Sequence, residues 1–82
     1  MRLDKFLKVS RIIKRRTVAN DACDASHVAV NGRPAKASYD VKVGDEIAVS
    51  FGARTLRVRV LSVKEVVKKE DAAGLYEIVN EG

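Results

Sequence analysis

Arg2-Leu3-Asp4-Lys5-Phe6-Leu7-Lys8-Val9-Ser10 sets Leu3, Phe6 and Leu7 at i, i+3 and i+4 with Lys5 and Lys8 on the other side, the repeat of an amphipathic helix. A helix this short does not persist alone in water and needs a surface to pack on. The next such segment, residues 15–25, carries Val18, Ala19, Ala22 and Cys23 as a narrow apolar stripe of small side chains, which permits close helix approach. Residues 11–14 are then the connection, with Ile12 and Ile13 turned partly inward. No Ser, Thr, Asp or Asn stands at position 14 to cap the second helix, so its start is open by a turn.

Beyond residue 27 the periodicity changes. Val28-Ala29-Val30 is a short strand run, Asn31-Gly32 a turn dipeptide, and Arg33-Pro34 continues the bend before Lys36, which reads as a hairpin or tight loop. Val43-Gly44-Asp45 is a second turn signal, after which Ile47, Val49 and Phe51 alternate with polar or small residues, as in a half-buried strand. Past Gly52-Ala53, Leu56, Val58 and Val60 take one face while Arg57 and Arg59 take the other, and so short a turn implies an antiparallel pair. Residues 63–73 are ambiguous because Val63, Val66 and Val67 also fit a helix, and residues 75–79 read as a closing strand before a polar tail. The expected fold class is α+β, with two N-terminal helices packed on a small antiparallel sheet. One domain over residues 1–82 is expected, its core motif within about 1–50 and its C-terminal strands and tail over 51–82.

A chain of 82 residues buries only about 60 per cent of its unfolded surface, leaving little room for a catalytic pocket. With one His, one Cys and no convergent acid pair, no nucleophile has a base beside it, so no enzyme is expected. A lone Cys23 makes no internal disulfide or metal cluster, and His27 has no ligand partners nearby, so no metal or cofactor is expected. Cys23 reads as core and His27 as a strand-edge residue. Apolar runs fall far short of the roughly 20 residues that cross a bilayer, and no signal peptide is evident. A cytoplasmic protein is expected.

The charge is uneven along the chain. Of the net +5, the segment 2–36 holds nine Lys or Arg against three Asp, whereas 38–82 holds seven basic and eight acidic residues. Basic charge gathered on one region is the footprint of a polyanion. Nucleic acid is favoured over anionic membrane, because the basic segment has no Trp and no lipidation signal to support an anchor.

Several linked motifs carry a family resemblance: Arg2-Leu3-Asp4-Lys5-Phe6-Leu7, Lys14-Arg15-Arg16-Thr17, Val28-Ala29-Val30-Asn31-Gly32, Lys36-Ala37-Ser38 and Val43-Gly44-Asp45-Glu46-Ile47. In this order and spacing they resemble the alpha-L RNA-binding motif, the domain named after ribosomal protein S-four, over roughly the first 50 residues. With no catalytic domain following, the chain is similar to the stand-alone RqcP-like members, which are related to the small ribosome-binding heat-shock protein but lack its longer basic C-terminal extension. That resemblance implies binding to the large ribosomal subunit through rRNA and peptidyl-tRNA. It also implies a place in ribosome-associated quality control, supporting C-terminal alanine tailing together with the tRNA-recruiting factor RqcH. A heat-shock-type factor rescuing aborted large subunits, and a protein-interaction adaptor with incidental RNA binding, stay open beside it. A monomer is expected.

Candidate RNA contacts follow from both readings. Lys14, Arg15 and Arg16 stand at a helix start, where free N–H groups and the positive dipole end already favour phosphate and Arg adds a bidentate fork. Arg16 is expected to project into solvent, away from the stripe at Val18. Arg2 matches a position that faces RNA in the family, with Asp4 orienting it or another base by an ion pair. Lys8 and Arg11 continue the basic segment. Asn31 is first a turn residue, and Arg33, Lys36 and Ser38 extend the basic strip along a loop edge. Arg57 and Arg59 are explained equally well by a solvent face. With no aromatic platform for stacking, recognition by shape and phosphate placement is expected, with weak sequence specificity.

Overall fold

The computed structural model describes residues 1–64 and 67–79. Helix α1 spans Leu3–Val9 and α2 spans Arg16–Asp24. Five strands follow: β1 Val28–Val30, β2 Arg33–Pro34, β3 Glu46–Phe51, β4 Arg54–Val60 and β5 Tyr76–Ile78. They form one antiparallel sheet in the order β2-β1-β3-β4-β5, with a 3₁₀ helix at Lys69–Leu75 leading into β5. The expected α+β arrangement is therefore observed. The ambiguous stretch contributes that 3₁₀ helix, and Leu75 ends it rather than opening the strand. Val66 and the polar tail from residue 80 lie outside the described residues.

Core packing follows the two periodicities. Leu3, Phe6 and Leu7 of α1 are fully buried against Val28, Ile47, Val49, Val58 and Val60 from the inner face of the sheet. Register explains the match: Val28 pairs with Val49, Val30 with Ile47, and Ile47 with Val58, so side chains opposite one another all enter the same core. Cys23 and Ala19 supply the buried stripe of α2, and Ile13 closes the space under the α1–α2 connection. Two apolar residues depart from expectation. Val18 is 50% exposed, because only the Ala19 and Cys23 side of the nine-residue α2 meets the core. Phe51, in register with the inward positions of β3, is exposed at the hairpin end.

Local chemistry sets the turns. Asn31 and Gly32 both have positive φ, 53° and 84°, the pair of left-handed residues that a two-residue hairpin between β1 and β2 requires. Pro34 is tolerated because β2 is an edge strand, where no ladder partner needs its missing N–H. Both helices stop without glycine. Arg11 after α1 and Ser26 after α2 adopt φ 63° and 62°, and the Arg11 and Ser26 amides donate to the Lys8 and Cys23 carbonyls, closing each last turn.

One long-range contact positions the site. The start of α1 is zipped to the segment before β3: the Leu3 and Asp4 amides donate to the Tyr39 and Ala37 carbonyls, the Val41 amide donates to the Met1 carbonyl, and the N-terminal ammonium pairs with Asp40 at 2.7 Å. Donors that a helix start leaves unsatisfied thereby find acceptors in residues 37–41, and Arg2 is laid beside Lys36 and Ser38.

Candidate nucleic-acid interface

Asp4 is the centre of this surface. It lies in the first turn of α1, where a carboxylate suits the dipole, yet its side chain is only 3% exposed. Arg2 donates to it from Nε at 3.1 Å and from Nη2 at 3.4 Å, the Lys5 amide at 2.8 Å, Arg16 Nε at 3.4 Å and Asn20 Nδ2 at 3.4 Å. Burial would raise this carboxyl, but hydrogen bonds from Arg2, Asn20, Arg16 and the Lys5 amide outweigh it and hold the group below its ordinary 3.8. A buried charge is tolerated because it is multiply paired.

Two arginines, Arg2 just before α1 and Arg16 at the start of α2, are thus oriented by one carboxylate. Their side chains remain 50% and 46% exposed, so guanidinium donors not spent on Asp4 face outward, where phosphate can take them. The ion-pair role expected of Asp4 is what its geometry shows. Arg16 is exposed as expected, and it also ties α2 to α1 through Asp4.

Lys14 and Arg15 are exposed beside Arg16. Arg15 is the N-cap residue of α2, with extended backbone and no side-chain cap, and the first turn holds no acid. The free N–H groups and positive dipole end there are accompanied by three more positive charges, an arrangement that an anion relieves.

Residues 34–38 form the other bank of a groove against α2. Arg2, Asn20, Asp24, Lys36 and Ser38 line it, with Cys23 at its base. Across the same segment, Asn31, Arg33, Lys36, Ser38 and Tyr39 line a second concavity. Lys36 and Ser38 belong to both, so the strip from Arg16 through Arg2 to Arg33 is continuous. Lys8 and Arg11 line neither groove; both are exposed, Lys8 in the last turn of α1 and Arg11 in its left-handed closing position. Asn31 is largely occupied by structure: its Nδ2 donates to Asp45 Oδ1 at 3.1 Å and its Oδ1 accepts from the Glu46 amide at 3.0 Å. Asp45 also accepts from the Tyr39 hydroxyl and the Lys42 amide, each at 3.0 Å, pinning the turn to the loop.

Asn20 and Asp45 were not legible as part of this surface. Asp45 sits in a recognisable turn, but Asn20 reaches a carboxylate 16 residues away and leaves no local signal. Arg57 and Arg59 alternate with the inward residues of β4; Arg59 pairs with Glu77 at 2.8 Å and stands opposite Glu46, while Arg57 lines a hollow with Asn31, Gly32, Glu46 and Ala48, which adjoins the strip at Asn31. Cys23 is buried as expected, and burial first, then the charges of Asp4 and Asp24, pushes its thiol up to about 11.

Comparison with known proteins places these features. A family model described as the S4 domain matches residues 1–47. The chain is 58% identical over 81 residues to a protein of Streptococcus pneumoniae named RQC P-site tRNA stabilizing factor, covering 99% of this chain and 92% of that one. It is 54% identical to the Bacillus subtilis protein of the same name, covering 99% and 94%. Among solved structures, the trimeric heat shock protein 15 of Vibrio cholerae superposes with a TM-score of 0.89 at 28% identity, over 96% of this chain and 81% of that one.

Proposed function

The chain belongs to the S4-domain family, in the branch of RQC P-site tRNA stabilizing factors, and on that premise we propose that it is a non-catalytic RNA-binding factor of the large ribosomal subunit. It contacts rRNA and peptidyl-tRNA in the cytoplasm, and acts in ribosome-associated quality control by holding the tRNA while alanine is added to stalled chains with RqcH. It works as a monomer and uses no cofactor or metal.

The observation that carries this reading is the pairing of Arg2 and Arg16 on buried Asp4, beside the strip of Lys36, Ser38 and Arg33. Preset, half-exposed guanidinium groups suit phosphates held at fixed spacing in folded RNA, because little ordering remains to be done on binding. Lys14 and Arg15 extend the phosphate contact at the start of α2, Lys8 and Arg11 steer from its flank, and Asn31 shapes the turn that presents Arg33. The name of the curated relatives supplies the tRNA.

Co-sedimentation with large subunits across a salt series, paired with chemical protection of rRNA and tRNA, tests the proposal. Binding is expected to weaken linearly on a log–log plot with a slope of several phosphates, with both RNAs protected. Binding that ignores salt, with both RNAs unprotected, would mean a protein-interaction adaptor instead.

A further inference from the structure

The charge pattern of α2 runs against its dipole at both ends. Bases crowd the N-terminus, which a phosphate explains, but the last residue is Asp24 and the last turn contains no base. A carboxylate is the least favoured charge beside the free carbonyls of a helix C-terminus. Asp24 is also exposed and has no hydrogen bond or ion pair among the described residues, although Arg2 and Lys36 line the same groove. A surface that only collected phosphates would be weakened by an acid in its middle. Departures from local preference without internal compensation concentrate where a ligand is bound.

A ligand that engages this carboxylate offers hydrogen-bond donors at that point. Within RNA these are base edges and ribose hydroxyls. Guanine alone presents two N–H donors side by side on its Watson–Crick edge, and a carboxylate accepts such a pair bidentately. That edge is occupied in a duplex, so the base has to be unpaired and turned out. The open groove has room for one: its volume is about 560 Å³, the small buried residues Cys23 and Ala37 are among those that line it, and Arg2 and Lys36 line it beside Asp24 as candidate partners for flanking phosphates. We infer that the groove between α2 and residues 34–38 receives a single unpaired guanine of the bound RNA, with Asp24 accepting from its Watson–Crick edge. This rests on the RNA-binding reading above and adds one point of base selection to recognition by shape.

Fluorescence anisotropy with short RNA hairpins tests it, the stems being identical except for a single bulged guanine, inosine, adenine or uracil, or no bulge. Wild-type protein is expected to bind the guanine bulge about tenfold or more tighter than the adenine bulge or plain stem, with inosine between. Asp24→Asn is expected to shrink that preference to about twofold or less while binding the plain stem as well as or better than wild type, since a negative charge is gone. Its melting temperature is expected to hold or rise. Salt-sensitive binding of all stems alike by wild type, or an equal gain on all stems from Asp24→Asn, would overturn the base site and leave the RNA-binding reading standing. Binding to no stem at any salt would overturn both.

Discussion

Arg16 Nε in α2 lies 3.4 Å from Asp4 Oδ2 in α1, so a half-exposed arginine of the proposed phosphate-binding strip is also a strut between the two helices. On the proposed function, binding and packing meet in one side chain, and substitutions along this axis are expected to change both to different degrees.

Asp4 bears the larger structural share. Asp4→Ala leaves Arg2, Arg16 and Asn20 facing an empty, nearly buried site. Removing one member of a buried pair is strongly destabilising, but the half-exposed arginines recover solvent, so the cost is discounted to about 1–3 kcal/mol. Because the folded carboxyl is held below its ordinary value, its contribution is present above about pH 4 and lost as pH falls through the folded value. Thermal melts from pH 7 to pH 3 should show wild type losing stability below about pH 4. Asp4→Asn should start lower and lose less. Some acid sensitivity should remain in the variant, since the hydrogen bond and charge of the N-terminal ammonium also depress Asp40. Parallel pH profiles for the two proteins would remove Asp4 from this role.

Arg16→Ala should reduce large-subunit binding about tenfold or more, from the loss of a charge-assisted phosphate contact of about 1–3 kcal/mol. Stability should fall by only about 0.5–1 kcal/mol, because the lost ion pair is half-exposed on the arginine side. Arg16→Lys should recover part of the binding, as it keeps the charge without the planar fork. Co-sedimentation and melts of the three proteins check the order wild type, Lys, Ala. An Ala variant that sediments like wild type would place the phosphate contact elsewhere.

Val30 and Ala29 are neighbours in β1 on opposite faces of the sheet. Val30→Asp should abolish cooperative unfolding, because Val30 is buried opposite Ile47 and an unpaired carboxylate there costs several kcal/mol. Ala29→Ser, on the outer face beside Ala48, should change stability by less than about 1 kcal/mol. Circular dichroism melts distinguish the two, and equal melting temperatures would reverse the assignment of faces.

Cys23 should resist alkylation in the folded protein. With its thiol pushed up to about 11, roughly one molecule in a thousand is thiolate at pH 8, against roughly a quarter for an unperturbed cysteine. Burial slows access further. Labelling at pH 8 should accelerate about 100-fold or more in urea, in step with the loss of structure. Fast labelling without denaturant would mean that α2 opens on its own.

Much of the fold is written in short-range pattern. The spacing of Leu3, Phe6 and Leu7, the alternation of Val28 and Val30 and of Ile47 and Val49, and the Asn31-Gly32 turn each lie within a few residues, because backbone periodicity and turn sterics act over that distance. The basic cluster at 14–16 is equally local. What tertiary structure decided is which of these features meet. Asp4 finds Arg16 and Asn20, 12 and 16 residues away, only once α2 has crossed α1, and Arg2 joins Lys36 only because residues 37–41 supply carbonyls to the start of α1. Val18 and Phe51 carry the same apolar signal as buried neighbours yet are exposed. Burial depends on whether another element covers that face, and that is a property of how the helices lie on the sheet rather than of any one segment.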